Sequence, residues 1–319
     1  ALVDKFSSSP DLTLNSMSSP IIVFGSINMD LVVYSDKQPT KGETILGNSF
    51  ETFQGGKGAN QAVAVAKLGL PVSLIGKVGN DVFGDELLEN LNRETVDTSM
   101  IVRHEGPSGV AFIYVFEQTS ENHIIVISGS NKEVKSNQIS DKELSTSDVL
   151  ISQLEVPPSE IEDLFIRAKN SGTYRMLNAA PALEISKNLI RETDLLVMNE
   201  SELENLSERS VVNENIDSIA EAIKVLNLKT TQSIAVTLGS KGVYVYTNQK
   251  GDFIDGHKIE AVDTTGSGDC FIGALATHYL KSNDLLDSVN FANKAAALSV
   301  TKRGASASMP TLEEVVNFL

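Results

Sequence analysis

The chain has 319 residues, 41% of them hydrophobic and 21% charged, so it can bury a large core and is neither disordered nor collagen-like. Its 26 Lys and Arg residues stand against 42 Asp and Glu residues, and the net charge of −16 argues against nucleic acid or an anionic membrane as a partner. Any phosphate that it binds must therefore be held by local backbone amides and helix N-termini.

Cysteine and histidine are sparse. The single cysteine, Cys270, excludes an internal disulfide and a cysteine zinc cluster and is typical of a reducing compartment. The four histidines, His104, His123, His257 and His278, lie far apart without metal-ligand spacing. The longest apolar runs have the length of strands, and no basic segment followed by an apolar one opens the chain. We therefore expect a cytoplasmic protein without a signal peptide or membrane span.

The first residues differ from the rest of the chain. Residues 1–16 are rich in Ser, Pro, Asp and Asn without a period, and Met17 resembles a second start. We expect residues 1–20 to be a disordered tail or a cloning remnant, and residues 21–319 to form one domain.

Apolar runs of strand length then alternate with amphipathic helical stretches. In the predicted helix 158–170, Ile161, Leu164, Phe165 and Ala168 share one face. This alternation predicts an α/β fold with a mostly parallel sheet covered by helices on both faces. The predicted strands are 21–24, 72–75, 149–153, 175–178, 195–198 and 234–238.

Two stretches, at about 31–54 and 99–128, interrupt this alternation. They contain strand signals and turn residues but no helical pattern. A small antiparallel sheet attached to the α/β body is the simplest account, and such a sheet can act as a lid over a cleft.

The sharpest chemical signal is the string DTTGSGD at 263–269, followed by an apolar helical run. Gly266, Ser267 and Gly268 are small enough to let the backbone approach a ligand, and the helix offers unpaired N–H groups to an anion. An acidic residue repels an anion, so Asp269 is suited to a base that deprotonates a hydroxyl beside a transferring phosphoryl group. From the string alone, a tight turn with a favourable first-turn carboxylate is an equal alternative.

A second glycine cluster, GGKGAN at 55–60, precedes a predicted helix 60–68. Neither the GxGxxG nor the P-loop spacing is present, which disfavours a dinucleotide or Walker-type site. Lys57 and Asn60 are suited to holding hydroxyl groups, although an ordinary Gly-rich loop with a capping Asn is the simpler interpretation of this cluster alone.

The first predicted strand runs into GSINMD at 25–30, at the strand end where open α/β sheets bind their ligands. Asn28 and Asp30 are able to pair with sugar hydroxyls. Taken alone, they are better explained as turn residues.

These three clusters, in this order, resemble those of the ribokinase family, also called the PfkB carbohydrate kinase family. The resemblance covers residues 21–319, with GGKGANQA at 55–62 similar to the first family signature and DTTGSGDCFIGA at 263–274 similar to the second. Further strings resemble those of the members that act on D-ribose: QLE at 153–155, NESE at 199–202, TLGSKG at 237–242 and VTKRGA at 300–305.

The resemblance implies an α/β body with a β-sheet lid, ATP as phosphoryl donor, Mg²⁺ as cofactor, K⁺ as activator and a homodimer formed through the lids. It implies phosphorylation of the 5-hydroxyl of D-ribose, with Asp269 as general base and Gly266, Ser267 and Gly268 as the anion hole. The positions that match ribose contacts are Asn28, Asp30, Gly56, Lys57, Asn60, Glu155 and Asp269.

The resemblance also assigns positions around the nucleotide and two metals. The positions matched to ATP are Asn199, Thr237, Gly239, Ser240, Gly242, Gly268 and Asn293. Glu202 matches a Mg²⁺ position that acts through water. The positions matched to K⁺, some through backbone carbonyls, are Asp263, Thr265, Ser299, Lys302, Gly304 and Ser308.

Some residues and substrates keep alternatives. Ser267 stands where the family usually has Ala or Gly, and Cys270 is better explained as a small buried residue than as a catalytic group. Asn199 and Glu202 also suit a helix N-cap with first-turn acids. A kinase of the same fold for fructose, a ketosugar acid or adenosine is the nearest rival, and a sugar or nucleotide sensor without turnover is the rival from another class.

Overall fold

A computed structural model describes residues 19–119, 121–211 and 215–318, so residues 1–18 of the expected tail 1–20 lie outside the described part. The strands are β1 (Ile21–Phe24), β2 (Asn28–Ser35), β3 (Ser49–Gly55), β4 (Val72–Gly79), β5 (Ile101–His104), β6 (Gly109–Phe116), β7 (Glu121–Ile127), β8 (Val149–Gln153), β9 (Tyr174–Asn178), β10 (Leu195–Asn199), β11 (Ser233–Thr237), β12 (Gly242–Thr247) and β13 (Lys250–Asp255). The α-helices are α1 (Lys57–Lys67), α2 (Val82–Arg93), α3 (Asp141–Leu144), α4 (Pro158–Asn170), α5 (Lys187–Arg191), α6 (Glu200–Ser207), α7 (Ile216–Val225), α8 (Ser267–Ser282), α9 (Leu285–Ser299) and α10 (Leu312–Val316).

The body contains a nine-stranded sheet in the order β13-β12-β11-β10-β9-β8-β1-β4-β5. The strands from β11 to β5 pair in parallel, whereas β12 and β13 form an antiparallel edge. The predicted α/β fold with a mostly parallel sheet is confirmed, and helix α4 has the predicted bounds.

Alternate residues of the short strand β1 serve two hydrophobic cores. Ile21 and Val23 belong to the core that also holds residues of α1, α8 and α9. Ile22 and Phe24 belong to the core that includes α4 and α7 residues. Since side chains alternate between the faces of a strand, helices cover both faces of the sheet, as predicted. No helix of the described residues is long and apolar enough to cross a membrane.

The lid is a four-stranded sheet in the order β3-β2-β6-β7. It is mixed rather than antiparallel throughout, because the central pair β2 and β6 is parallel. The cause is connectivity: β1 and β5 run parallel in the main sheet and each continues directly into a lid strand. The stretch 99–128 thus contributes β5 to the body as well as β6 and β7 to the lid.

Strand register brings several loops to one edge of the main sheet. Phe24 pairs with Ile75 and Ser152 at the end of β1, and Asn178 at the end of β9 is aligned with Gln153. Asn199 and Thr237 end β10 and β11 side by side. The carboxyl ends of five strands therefore face the same space, where open α/β sheets place their ligands.

Helices α1 and α8 cross at small residues. A Cβ atom at Gly273 would lie 2.5 Å from Ala64 Cβ and 2.9 Å from Gln61 O, so only glycine permits this approach. Helix α1 begins at Lys57, three residues before the predicted start at Asn60. The contact places the N-terminal turns of both helices, and hence both glycine clusters, next to each other.

Candidate active site

Asp269 is the third residue of α8 and is only 6% exposed. Gly266 caps the helix with a φ of 75°, in the left-handed region that favours glycine. The carboxylate of Asp269 accepts hydrogen bonds from Asn60 Nδ2 at 2.9 Å and from Gln61 Nε2 at 3.0 Å. Asn60, from the glycine-rich cluster at 55–60, thereby contacts the helix that follows the glycine-rich string at 263–269.

The charge of Asp269 is opposed by burial and favoured by its neighbours. Burial raises the pKa of its carboxyl, while the Lys57 ammonium and the amides of Asn60 and Gln61 act to lower that pKa. The net direction is upward. A buried carboxylate whose pKa is raised in this way is a stronger base than an exposed one.

Lys57 lies among several carboxylates. Burial acts to lower the pKa of its ammonium, but Asp269, Glu155, Glu202 and Asp30 raise it above its ordinary value. Burial, followed by the charges of Glu155 and Asp269, raises the pKa of Asp30 to about 7. The site therefore concentrates negative charge around the Lys57 ammonium, and the pKa of Asp30 lies near neutral pH.

The loop after β1 is tied to the loop after β8. Ser26 Oγ donates to Glu155 Oε2 at 2.5 Å, and the backbone N–H of Lys57 donates to the same oxygen at 3.2 Å. Gly56, with a φ of 91°, lies so close to this loop that a Cβ atom would approach Asn28 N to 2.7 Å. The sequence-predicted residues Lys57 and Glu155 are therefore in direct contact, and Gly56 packs against the loop after β1.

Asn28 is 3% exposed, and its Oδ1 accepts a hydrogen bond from Asn131 Nδ2 at 2.6 Å. Asn131 in turn holds the backbone of Ile27, whose N–H donates to Asn131 Oδ1 at 2.9 Å. Asn131 therefore fixes the junction between β1 and the lid strand β2.

Two spaces open around these residues. An inner cavity of about 150 Å³ is lined by Lys57, Asn178, Ala180, Val197, Met198, Asn199, Glu202, Thr237, Gly266, Gly268, Asp269, Phe271 and Ile272. A lid cleft of about 530 Å³ is lined by Asp30, Val32, Tyr34, Ser49, Glu51, Phe53, Ile113, Val115, Glu117, Val262, Asp263, Thr265, Arg303, Gly304 and Ala305. The lid strands thus cover a cleft whose floor is the loop before α8.

Asn199 and Glu202 form a capping box at the start of α6. The Glu202 N–H donates to Asn199 Oδ1 at 2.9 Å, and the Asn199 N–H donates to Glu202 Oε2 at 2.8 Å. Burial raises the pKa of the Glu202 carboxyl, against the effects of the Asn199 N–H and Lys57. The cap predicted as an alternative is present, and the same two side chains line the inner cavity.

Of the other positions matched to ATP, Thr237 and Gly268 also line the inner cavity, and the remaining four lie further out. Ser240 lines an outer pocket of about 850 Å³ with Lys241, Asp255, Gly256, Lys258, Ile259 and Glu260. Asn293 reaches this region from α9, where its Nδ2 donates to Asp255 O at 2.9 Å. Gly239 is exposed, whereas Gly242 has a φ of 127° and leaves only 2.0 Å between a Cβ atom and Ile254 O. Gly242 is thus required by the backbone at the start of β12.

The positions matched to K⁺ lie on two loops that Asp263 joins. Thr265 N–H donates to Asp263 Oδ1 and Gly304 N–H to Asp263 Oδ2, each at 2.9 Å. Burial raises the pKa of Asp263, but these hydrogen bonds and the Arg303 charge hold it below its ordinary value. Asp263 is therefore ionised at neutral pH.

Three further positions of this set differ in their surroundings. Ser299 and Ser308 are buried and donate to Ala296 O and Ala305 O, each at 2.8 Å, which leaves their hydroxyl lone pairs as acceptors. The side chain of Lys302 forms an ion pair with Glu314 of α10 at 2.6 Å. Its ammonium is therefore engaged by a residue outside the matched set.

The Cys270 thiol follows the candidate base but lies in the hydrophobic core. Burial raises its pKa to about 12, so it stays protonated and unreactive.

Sequence reasoning missed several polar residues that hold the site. Gln61 and Gln153, both fully buried, and Asn131 contact the candidate site residues or each other. Gln153 ends a strand of buried residues, and Gln61 lies in a helix of small apolar ones. An amide at such a position is the signal that was available.

Comparison with known proteins agrees with this geometry. The model of the pfkB family of carbohydrate kinases matches residues 19–312. A ribokinase of Schizosaccharomyces pombe is 40% identical over 309 residues, which are 92% of this chain and 96% of that protein. A deoxyribokinase of Salmonella typhi is 36% identical over 303 residues, which are 94% of this chain and 98% of that protein.

Solved structures are also similar. The structure of Arabidopsis thaliana ribokinase complexed with ribose and ATP has a TM-score of 0.86 and 28% identity, with 95% of this chain and 99% of that chain covered. The family model and the full-length relatives agree with both glycine motifs, so the chain belongs to the pfkB family of carbohydrate kinases.

Proposed function

We propose that this protein transfers the γ-phosphoryl group of ATP to the 5-hydroxyl of D-ribose, with Asp269 as the general base. The observation that carries the proposal is the buried carboxylate of Asp269 beside Lys57, on the first turn of a helix that opens into the inner cavity. A base in this place removes the hydroxyl proton while helix N–H groups receive the charge of the phosphoryl oxygens. The ribokinase and the deoxyribokinase among the relatives support a pentose as acceptor.

The anion hole is formed by the first turn of α8. The Ser267 N–H already donates to Thr264 O at 3.2 Å, so it is less available than its neighbours. The N–H groups of Gly268 and Asp269 have no acceptor in the preceding turn of the helix. A Cβ atom at Gly268 would meet no heavy atom within 4 Å, so this residue borders open space. We assign the main phosphoryl contacts to Gly268 and Asp269, with Gly266 shaping the cap.

The sugar is held by the polar groups around β1, α1 and the loop after β8. Asn28, Asp30, Lys57, Asn60 and Glu155 offer carboxylates, amides and one ammonium to the ribose hydroxyls, with Gly56 giving the backbone access. Asn60 Oδ1 is buried without a hydrogen-bond partner among the described residues. A buried acceptor left unpaired costs free energy that a sugar hydroxyl recovers. Asn60 is therefore suited to receive the acceptor.

The donor nucleotide extends from the inner cavity to the outer pocket. Asn199 and Thr237 lie at the cavity, and Gly239, Ser240 and Asn293 lie on the way outward. Within the described residues, no group of three or more His, Cys, Asp or Glu side chains is able to hold a metal ion. A single carboxylate, that of Glu202, is enough for Mg²⁺ held through water and by the nucleotide phosphates. The reason is that Mg²⁺ keeps several of its waters and needs few carboxylate ligands. Bound Mg²⁺ would neutralise charge on the donor phosphates.

K⁺ fits the loop pair joined by Asp263. Alkali cations bind hard oxygen ligands, and the loop pair offers several of them. They are the ionised carboxylate of Asp263, the hydroxyls of Thr265, Ser299 and Ser308, and the backbone carbonyls at 302 and 304. The carboxylate already holds two backbone N–H groups, so its part is to keep both loops in register around the cation.

The lid presents an apolar edge strand. Ile124, Ile125, Val126 and Ile127 of β7 are between 48% and 57% exposed. A long exposed apolar edge strand is an unstable surface for a monomer, and pairing with a second copy would cover it. We assign homodimer formation to this face of the lid. Sedimentation velocity of wild type and Ile125→Asp tests it: a dimer that becomes a monomer supports the assignment, and a wild-type monomer refutes it.

One assay tests the proposed function. ADP release is measured with D-ribose, 2-deoxy-D-ribose, fructose, a ketosugar acid and adenosine as acceptors. We expect the highest specificity constant for D-ribose, because a site built to pair with hydroxyls discriminates against an acceptor that leaves those groups unpaired. Higher values for any other acceptor would reassign the substrate, and ADP release with none of them would favour a sensor.

A further inference from the structure

A chain of buried side-chain amides leads to Asp269. Gln153 Nε2 donates to Gln61 Oε1 at 2.6 Å, and Gln61 Nε2 donates to Asp269 Oδ1 at 3.0 Å. Both glutamines are fully buried. Neither was assigned a role from the sequence, and both sit at the elements that carry the site, α1 and β8.

The direction of this chain is set by the backbone. Asn178 Nδ2 donates to Val197 O at 3.3 Å, so Asn178 Oδ1 is left as an acceptor, and Gln61 Nε2 donates to it at 3.2 Å. Gln61 therefore donates its two N–H groups to Asn178 and Asp269, and its carbonyl oxygen accepts from Gln153. Turning its amide over would set oxygen against oxygen at both acceptors. Gln61 has one stable orientation, and in it an N–H group faces the carboxylate.

The two oxygens of Asp269 consequently differ. Oδ1 is held by Gln61, whose polar atoms are all committed within the protein. Oδ2 is held by Asn60, whose own Oδ1 has no hydrogen-bond partner among the described residues and which we assign to the sugar. A sugar hydroxyl can therefore replace Asn60 at Oδ2, whereas Oδ1 is held by an amide whose hydrogen bonds are all made within the protein.

We propose that Gln61 is a positioning residue that holds Oδ1 of Asp269 and leaves Oδ2 as the atom that takes the proton, with Asn178 setting the orientation of Gln61 and Gln153 supporting it through one hydrogen bond. This inference rests on the proposed phosphoryl transfer. It assigns the two oxygens of the base different tasks, one structural and one chemical. The substrate hydroxyl then meets a carboxylate that is already aimed.

The hydrogen bond also keeps the base ionised. Donation from Gln61 acts to lower the pKa of Asp269, as does donation from Asn60. The charged groups that face Asp269 are Lys57, which favours ionisation, and Glu155, Asp30 and Glu202, which are coupled to it as like charges. Loss of the Gln61 amide therefore raises the pKa of Asp269 further and leaves less base at neutral pH.

The test compares wild type with Gln61→Leu, Gln153→Leu and the control Gln232→Leu. Gln232 is a buried amide of another region, where it donates to Ile190 O and Thr193 O. We expect Gln61→Leu to lower kcat for D-ribose by ~10- to 100-fold, a fraction of the effect of losing the base itself. KM for D-ribose changes little, and the acidic limb of the kcat profile moves to higher pH. Gln153→Leu shows a smaller change in the same direction.

The control separates positioning from folding. Gln232→Leu loses thermal stability with an unchanged pH profile. A folded Gln61→Leu with wild-type kcat and pH profile overturns the proposal, as does an effect confined to KM. If Gln61→Leu does not fold, Gln153→Leu carries the same test.

A measurement without turnover separates this inference from the proposed function. The ionisation of Asp269 is followed by carbon-13 NMR of aspartate-labelled protein, with Asp269→Asn to assign its signal. A higher pKa in Gln61→Leu than in wild type supports the positioning role even if every acceptor is inactive. An identical pKa in both refutes it even if the enzyme phosphorylates ribose.

Discussion

Asp263 accepts the backbone N–H of Gly304 at 2.9 Å and thereby joins the loop before α8 to the loop after α9. Its other oxygen accepts the Thr265 N–H at the same distance. The loop that leads into the proposed anion hole is therefore anchored by the carboxylate of Asp263. A cation bound between these loops would order the N–H groups of the first turn of α8 without touching the sugar.

The first prediction concerns this anchor. K⁺ should raise turnover more than Na⁺ at constant ionic strength, and Asp263→Asn should abolish the difference. Each oxygen of Asp263 accepts a backbone N–H, so asparagine in either orientation sets its own NH₂ group against a donor. Initial rates in K⁺, Na⁺ and a bulky organic cation provide the measurement, because general screening is then held equal. Equal rates in all three for the wild type would remove the cation site.

The second prediction concerns the base. Asp269→Asn should lower turnover by at least ~10²-fold, the scale of losing a general base, with D-ribose affinity kept. The fold should tolerate the change, because Asn60 Oδ1 has no partner among the described residues and the Asn60 amide can turn to accept the new NH₂ group. Turnover and ribose titration calorimetry measure the two quantities. Near-normal turnover in the folded variant would exclude Asp269 as the base.

The third prediction uses two glycines of the same turn as a matched pair. Gly268→Ala should keep the melting temperature but lower activity by ~10-fold or more, because its methyl group enters open space in front of the proposed phosphoryl donors. Gly266→Ala should instead lower the melting temperature, since Gly266 has a φ of 75° and its Cβ would lie 2.9 Å from Ala305 Cβ. Thermal melts and steady-state rates of both variants are compared. A Gly268→Ala enzyme with wild-type rates would place the phosphoryl group elsewhere.

The fourth prediction follows from Asp30, whose pKa is raised from 3.8 to about 7 in the folded protein. The folded state then binds a proton more tightly than the unfolded chain, so the stability from this proton is present at low pH and is lost as pH rises from about 4 to 7. Asp30→Asn should remove that loss. Without ligand, the melting temperature of the variant relative to wild type should be higher at pH 8 than at pH 5. The same offset at both pH values would contradict the raised pKa.

The fold was largely predictable from the sequence because strand and helix periods are local. The runs at 21–24 and 149–153 and the helix at 158–170 became β1, β8 and α4 with those bounds. The parallel pairing of β2 with β6 was not predictable, since it depends on the common direction of β1 and β5 in the main sheet. The early start of α1 at Lys57 likewise depends on Gly56 and its contact with the loop after β1.

The candidate site residues were predictable where they belong to a recognisable local motif. They were not predictable where isolated side chains from distant segments meet. Asp269, Lys57 and Asn60 belong to glycine-rich strings, and the structure brings them together. Gln61 is an isolated polar residue in an apolar helix, and Asn131 lies in a turn-rich segment. A local sequence pattern therefore predicts a core position for the first and a turn for the second. Their roles depend on partners more than 100 positions away in the chain, which no local pattern records.

The distance between helices α1 and α8 is fixed where they cross. The contact consists of a hydrogen atom at Gly273 and a methyl group at Ala64, so Asn60 and Gln61 on one helix and Asp269 on the other keep a constant separation. A larger residue at 273 would push the two helices apart and move Asn60 and Gln61 away from Asp269. The distance from Asp269 to its two amide partners is therefore set by Gly273 and Ala64, where the two helices cross.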